Sequence, residues 1–312
     1  MMLKILLFII LALIVAMLLI YFFFPAHLLA FGRARLRKKG GWVQKHLLVE
    51  GRQWPYLEGG DLSKPTLILI HGFSGEKDNW AFVAPLLKQD FHLIAPDLPG
   101  FGENERRSDI GFDNASQTRR FKAFVDALGI KRPHLAGNSM GGWIAMRYAM
   151  DYPDALASLI LIDNAGVMGS QESELQQLAA DETYNPLSLH DLADSERFMA
   201  FVAHKPPRIP ARLKPAFHAD ALRYQDQLDA IFWIIAREMR DDPLNDRLSE
   251  IQVPTLIIWG RHDRLIDVSC VPVMEAGIKG SQAVVFEDVG HVPMVEDPKA
   301  TADAIRTFLH GK

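Results

Sequence analysis

Residues 137–141 read Gly-Asn-Ser-Met-Gly and stand between a short apolar run, 133–137 (PHLAG), and a longer apolar stretch with helical spacing, 140–150. This G-x-S-x-G spacing constrains the chain more than any other feature, because its residues suit a sharp turn from a strand into a helix. Such a turn crowds strand against helix and holds its central residue in a strained backbone region. Side chains at 137 and 141 would collide there, so both positions are glycine. The turn thrusts the Ser139 hydroxyl out of the sheet, where it becomes a nucleophile once a base takes its proton. An unreactive Ser-Gly helix start has the same five residues, so the rest of the chain must supply the base and its partners.

The segments around the turn supply its context. Residues 66–71 (TLILIH), 91–96 (FHLIAP), 159–162 (LILI), 255–259 (TLIIW) and 283–286 (AVVF) join 133–137 as short apolar runs that read as strands. Strands this continuously apolar belong to a sheet covered on both faces, and hence mostly parallel. Helical stretches lie between them. Residues 114–128 put Phe121, Phe124, Val125 and Leu128 on one face, and 300–309 carry Ile305, Phe308 and Leu309. Alternating strands and helices give an α/β fold, doubly wound about a mostly parallel central sheet with helices on both faces. Residues 44–55 read as early antiparallel strands. Between 168 and 249 the alternation stops: the pattern is helical, Pro206, Pro207, Pro210 and Pro215 punctuate it, and no strand candidate appears. This reads as a helical cap inserted after the 159–162 strand, with Phe198, Phe201, Phe217, Phe232 and Trp233 as its large apolar residues. The catalytic domain then spans 44–312, and with 49% apolar and 23% charged residues the chain can build its core.

The N-terminal region is of another kind. Residues 5–24 are apolar without a charge, long enough at about 1.5 Å per residue to reach roughly 30 Å, the thickness of a bilayer core. The run ends in Tyr21-Phe22-Phe23-Phe24-Pro25, which is too bulky for a signal-peptidase site, and residues 1–26 read as a retained transmembrane signal anchor. Lys4 alone precedes the run, whereas Arg33, Arg35, Arg37, Lys38 and Lys39 follow it. The positive-inside rule therefore places the catalytic domain on the cytoplasmic side of a single-pass protein. Residues 27–43 read as a basic juxtamembrane linker, which Gly40-Gly41 suits and whose charges favour anionic head groups.

His291 is the expected base for Ser139. It lies in Val289-Gly290-His291-Val292-Pro293, after the last strand and before the final helix, at the carboxyl edge where α/β sites assemble. His71, His134 and His262 compete less well. Asp263 follows the 255–259 strand and is the expected acid, since Ser139, Asp263, His291 is the chain order of α/β hydrolases. Asp163, at the end of the 159–162 strand, is the runner-up; Asp97 and Asp267 come after it. The oxyanion donors expected are the backbone N–H groups of Met140, at the start of the elbow helix, and Phe73, in the glycine turn His71-Gly72-Phe73-Ser74-Gly75. His71 is expected to brace that turn. The loop Asp97-Leu98-Pro99-Gly100-Phe101-Gly102 is read as structural, with Phe101 beside the acyl pocket. The single cysteine, Cys270, excludes an intramolecular disulfide and a cysteine-based zinc site, and it reads as an inert helix start. No metal or other cofactor is expected. The net charge of -4 argues against a nucleic-acid partner.

Taken together, the chain resembles the membrane-anchored monoacylglycerol lipases of the α/β-hydrolase-domain family. The likeness rests on His71-Gly72-Phe73-Ser74 with Lys77-Asp78 and Trp80, on Ser139-Met140-Gly141-Gly142, and on Ile257-Ile258-Trp259-Gly260 with Asp263. It continues through Leu265-Ile266-Asp267-Val268-Ser269 and Gly290-His291 with Glu296 and Pro298. The resemblance implies the α/β-hydrolase fold, a single-pass cytosol-facing enzyme, and cleavage of monoacylglycerols and some lysophospholipids. It also implies the roles given above for Ser139, Asp263, His291, Phe73 and Met140. A lipid ester substrate and a membrane are then the expected partners, with no obligate protein partner. The elbow also looks like that of carbon–carbon bond hydrolases of ring-cleavage products, which would need cations such as Arg197, Arg208 or Arg212 for a substrate carboxylate. A third reading is a non-catalytic ligand receptor on the same fold.

Overall fold

The structure is a computed structural model that describes residues 1–107, 109–206 and 208–311, with backbone alone at 3, 16, 20 and 220. Eight strands form one sheet in the order β1-β2-β4-β3-β5-β6-β7-β8. β1 (Val43–Val49) and β2 (Arg52–Gly60) make a hairpin whose two loop residues, Glu50 and Gly51, both take positive φ, the geometry that matches strand twist. β2 is antiparallel to β4 (His92–Pro96) as well, whereas β3 (Thr66–Ile70), β5 (His134–Asn138), β6 (Ser158–Ile162), β7 (Thr255–Gly260) and β8 (Gln282–Phe286) run parallel. The early pair extends past 55, where Pro55 was expected to end it. Pro55 has no N–H, but its carbonyl accepts from Asp97 N at 3.0 Å, so the ladder loses little.

The parallel strands divide two cores between them. Ile68 and Ile70 of β3 face one, with α4 (Asn114–Ala127), α5 (Met140–Asp151) and α11 (Cys270–Gly277); Leu67 and Leu69 face the other, with α3 (Ala84–Leu87) and α13 (Pro298–His310). Pleat alternation alone accounts for this division. α4 starts at Asp113, whose side chain accepts from Ser116 N at 2.8 Å, and α13 starts at Asp297 followed by Pro298. The short α12 (Pro293–Glu296) precedes α13.

The cap lies between β6 and β7. It consists of α6 (Glu174–Leu178), α7 (Leu192–Val202), α8 (Lys214–Phe217), α9 (Ala219–Arg223) and α10 (Gln225–Asp241), and no strand occurs there among the described residues. Phe201 and Phe232 join the core below, whereas Phe217 stands exposed on the outer surface. Arg197 is paired with Asp194 and donates to the Ser188 carbonyl, Arg212 lies over the Phe22 ring, and Arg208 is exposed. The first two cations, which the carbon–carbon hydrolase alternative would need for a substrate carboxylate, are thus engaged within the cap and at the N-terminal helix.

α1 (Met2–Phe23) is an apolar helix long enough to cross a membrane, and among the described residues none of its side chains is buried against the domain. α2 (Pro25–Gly40) follows at once, and this departs from the expectation of a linker. The glycines at 40 and 41 only terminate it, Gly41 closing the helix in the left-handed region. Helix-favouring Leu, Ala, Arg and Lys fill its interior. Arg33 pairs with Glu76 at 3.0 Å, and Arg37 Nε donates to Asp78 at 2.6 Å, so the basic residues dock α2 on the loop after β3.

Candidate active site

The strand-to-helix turn forms as its sequence demands. Ser139 holds φ 55 and ψ -123 at the head of α5, a left-handed conformation that an L-residue keeps only under constraint. A Cβ on Gly137 would lie 2.3 Å from the Gly141 carbonyl oxygen, and one on Gly141 would lie 2.3 Å from that of Ile70. Glycine at both positions is therefore a packing requirement. The backbone around the serine is tied to β6: Ser139 N donates to Ile162 O, and Ala165 N donates to Ser139 O, each at 3.0 Å. The Ser139 side chain remains half-exposed above this frame.

His291 and Asp263 arrive on the loops after β8 and β7. His291 Nδ1 lies 2.8 Å from Asp263 Oδ2, with both residues buried. Asp263 Oδ1 accepts the N–H groups of Leu265 at 2.8 Å and Ile266 at 3.1 Å, so the carboxylate is fixed on both oxygens. Asn138, whose role the sequence did not disclose, ties the elbow to β6 and to the histidine loop: its Nδ2 donates to the carbonyls of Ile162 at 3.1 Å and His291 at 3.0 Å. Glu296 does similar work from α12, accepting Gly290 N and Lys205 N, each at 2.9 Å. His291 N donates to Val202 O at 3.0 Å, so the cap closes directly on the histidine loop. A cleft beside Asp263 opens between Ala200, Ala203, His204, His262 and Arg264, with the His204 and His262 rings stacked 3.9 Å apart.

The glycine turn after β3 lies against the elbow: a Cβ on Gly72 would sit 2.9 Å from that of Ser139. Among the described residues, no internal hydrogen bond takes the N–H of Phe73 or of Met140. His71 braces the turn. Its Nε2 accepts from Leu98 N at 3.0 Å and its Nδ1 donates to Gly72 O at 2.8 Å, a neutral tautomer that full burial favours by lowering its pKa. The Phe73 ring meets Phe101 at 5.9 Å and Phe232 of the cap at 6.0 Å, forming an aromatic wall beside the serine.

The other candidate acids have different surroundings. Asp97 accepts from Lys77 Nζ at 2.6 Å and Lys77 N at 2.7 Å in a fully buried pair, and it also caps Glu103 N. It holds the oxyanion-side loop together. Asp267 accepts from Ser269 N at 2.8 Å in the turn into α11. Asp163, fully buried at φ 42, accepts Gly260 N at 2.8 Å through Oδ1. Cys270 begins α11 as expected; burial pushes its thiol up to about 12, and Sγ donates to Val167 O at 3.3 Å. Asp163, Asp263 and His291 are the one group of possible metal donors among the described residues. Asp163 Oδ1 and both Asp263 oxygens accept N–H groups, His291 Nδ1 is held by the Asp263 carboxylate, and Asp163 Oδ2 meets no donor.

Residues 65–298 match the α/β hydrolase fold family. The chain belongs to that family. Among its relatives, Lipase 1 of Psychrobacter immobilis is 35% identical over 270 residues, 85% of this chain and 83% of its own. Monoacylglycerol lipase ABHD6 of Mus musculus is 30% identical over 301 residues, covering 93% and 89%. The crystal structure of a bacterial membrane phospholipase A superimposes with a TM-score of 0.88 at 40% identity, over 99% of this chain and 98% of that one. This α/β hydrolase is an ester hydrolase of the lipase kind, with contacts like those of a Ser-His-Asp triad.

Proposed function

We propose that this hydrolase is anchored in a membrane by α1 and cleaves membrane-derived lipid esters, monoacylglycerols foremost, through an acyl-enzyme on Ser139. The observation that carries the chemistry is the 2.8 Å contact from His291 Nδ1 to Asp263 Oδ2, set beside a serine on a strained elbow. In the reaction, Ser139 Oγ attacks the ester carbonyl while His291 Nε2 takes its proton. Asp263 holds the ring by accepting Nδ1–H and offsets the imidazolium charge. The N–H groups of Phe73 and Met140 receive the oxyanion, each worth about 2.7–4 kcal/mol in the transition state by the usual measure. Collapse expels the glycerol oxygen, which takes the proton from His291. Water then attacks the acyl-serine with His291 again as base, releasing the fatty acid and restoring Ser139.

The Phe73, Phe101 and Phe232 wall suits an acyl chain, and an anchored enzyme meets amphiphilic substrate already concentrated at the surface. The basic residues of α2 support a cytoplasmic catalytic domain under the positive-inside rule. A glycerophospholipid substrate is the second reading, favoured by the likeness to the membrane phospholipase A along the whole chain, N-terminal helices included. Fatty-acid release from a panel of monoacylglycerols, lysophospholipids, glycerophospholipids and triacylglycerols decides between them. The full-length protein in detergent micelles is expected to turn over monoacylglycerols fastest, with release lost in Ser139→Ala. Fastest release from two-chain phospholipids would establish the second reading. Turnover of a chromogenic ring-cleavage product alone would replace both with carbon–carbon bond hydrolysis.

A further inference from the structure

Asp163 is a buried acid at the site that the reaction above leaves without a task. It ends β6, beside the elbow, and its backbone is held at φ 42, where a non-glycine residue needs support from its surroundings. One carboxyl oxygen, Oδ1, accepts Gly260 N; the other, Oδ2, is buried and meets no donor. That carboxyl is a neighbour of the Asp263 carboxyl: an oxygen of Asp163, an oxygen of Asp263 and a ring nitrogen of His291 all fall within 4.8 Å of one another.

The groups facing Asp163 decide where a proton must sit. From the loop after β7 comes Asp263, from the loop after β8 His291, from α12 Glu296, and α11 presents only the neutral Cys270 thiol near Asp263. Two carboxylates this close in a dry site, facing one imidazole, do not both ionise. Asp263 has three donors, Leu265 N, Ile266 N and His291 Nδ1, all of which favour its charged form. Asp163 has one, Gly260 N. Burial above all, and then the Asp263 charge, push the Asp163 carboxyl well above the usual carboxylate range.

We propose that Asp163 is a neutral acid that donates its Oδ2–H to the Asp263 carboxylate and acts as a positioning residue for it. This rests on the reading of Asp263 as the partner of His291. The donated hydrogen bond satisfies the orphaned oxygen and gives Asp263 a fourth donor. It holds the Asp263 carboxylate in place against the imidazole. The site carries one negative charge instead of two.

The test uses full-length protein in detergent micelles, with wild type, Asp163→Asn and Asp163→Ala. Asparagine is neutral, keeps an oxygen for Gly260 N–H, and can donate to Asp263. Asp163→Asn is therefore expected to keep kcat within about threefold and the acid limb of kcat/KM in place. Asp163→Ala, lacking the donor, is expected to lower kcat about tenfold or more at unchanged KM and to move that limb to higher pH. The infrared difference between wild type and Asp163→Asn at pH 8 should contain the C=O stretch of a protonated carboxylic acid. A limb moved to lower pH in Asp163→Asn would mean that a negative charge had been removed, and it would overturn the proposal. So would the absence of the protonated C=O band, a readout that stands even where Asp163→Ala fails to fold. Fluorophosphonate labelling of wild type, checked against Ser139→Ala, separates the two layers. If labelling is Ser139-dependent but the band is missing, only the Asp163 proposal falls. If labelling does not depend on Ser139, the triad reading falls and the positioning role with it.

Discussion

Ser139 sits at φ 55 in a turn whose backbone segments Gly137 and Gly141 let approach more closely than a side chain permits. Gly141→Ala is therefore expected to destabilise the protein by about 1–3 kcal/mol, as overpacking against rigid backbone does, and to lower activity further by displacing the serine. Urea unfolding beside an esterase assay measures both; an unchanged midpoint would contradict the packing argument. Asp163 carries a pH dependence whose sign follows from its raised pKa. The native state binds a proton that the unfolded chain releases near the usual carboxylate value. Stability is thus retained at low pH and falls as pH climbs from there toward the native-state value. Relative to wild type, Asp163→Asn should gain stability as pH rises from 5 to 8, by up to about 1.4 kcal/mol per unit. A constant difference would mean that no such proton is held. At this scale the sequence singled out Ser139, His291 and Asp263 because each follows an apolar strand, and the structure brings His291 and Asp263 into contact. The sequence ranked Asp263 above Asp163 on chain order, although both positions follow a strand, and the 2.8 Å contact to His291 is made by Asp263. Asn138 and Glu296 were silent for a related reason: they bond to backbone atoms that sequence does not bring together.

Elements were legible in proportion to their burial. The strands from β3 to β7 are almost wholly buried and read directly as apolar runs, whereas β2 was cut short at Pro55 and α2 was taken for a linker. Pro55 was read for its propensity to break a strand, and Gly40-Gly41 as a linker signal, whereas the glycines only end a helix that tertiary contacts dock on the domain. For α2 those contacts are the pairs to Glu76 and Asp78; Glu76, pushed up to about 7 by burial, sits on the same loop as Phe73. That loop is pinned at its other end by Lys77 and Asp97, whose side chains are fully buried. Removing one partner of such a pair leaves an uncompensated charge, so Lys77→Met should cost about 3–5 kcal/mol. Lys77→Met with Asp97→Asn should recover part of that loss in the denaturation midpoint. A loss under about 1 kcal/mol in the single variant would show that the pair is merely tolerated.

Across the whole molecule, the apolar N-terminal helix and the hydrolase domain are joined lightly. Among the described residues no α1 side chain is buried against the domain; the connection runs through α2 and through Arg212 lying over Phe22. Deleting residues 1–24 is expected to move the protein from the membrane to the soluble fraction and to leave turnover of a water-soluble ester unchanged. Turnover of long-chain monoacylglycerol in vesicles should fall, because the substrate is no longer met at its own surface. Loss of soluble-ester turnover as well would show that α1 is part of the catalytic fold. The cap was legible as a helical interruption of the strand pattern, but its contact with the histidine loop was not, and that contact encloses the site.

The central claim, that Ser139 is a nucleophile activated by His291 and Asp263, is tested most directly by labelling with a fluorophosphonate and mapping the adduct by peptide mass spectrometry. One adduct per chain on Ser139 is predicted in wild type, with its rate of formation collapsing in His291→Ala and Asp263→Ala. An adduct elsewhere, or one on Ser139 that forms equally fast without His291, would contradict the account.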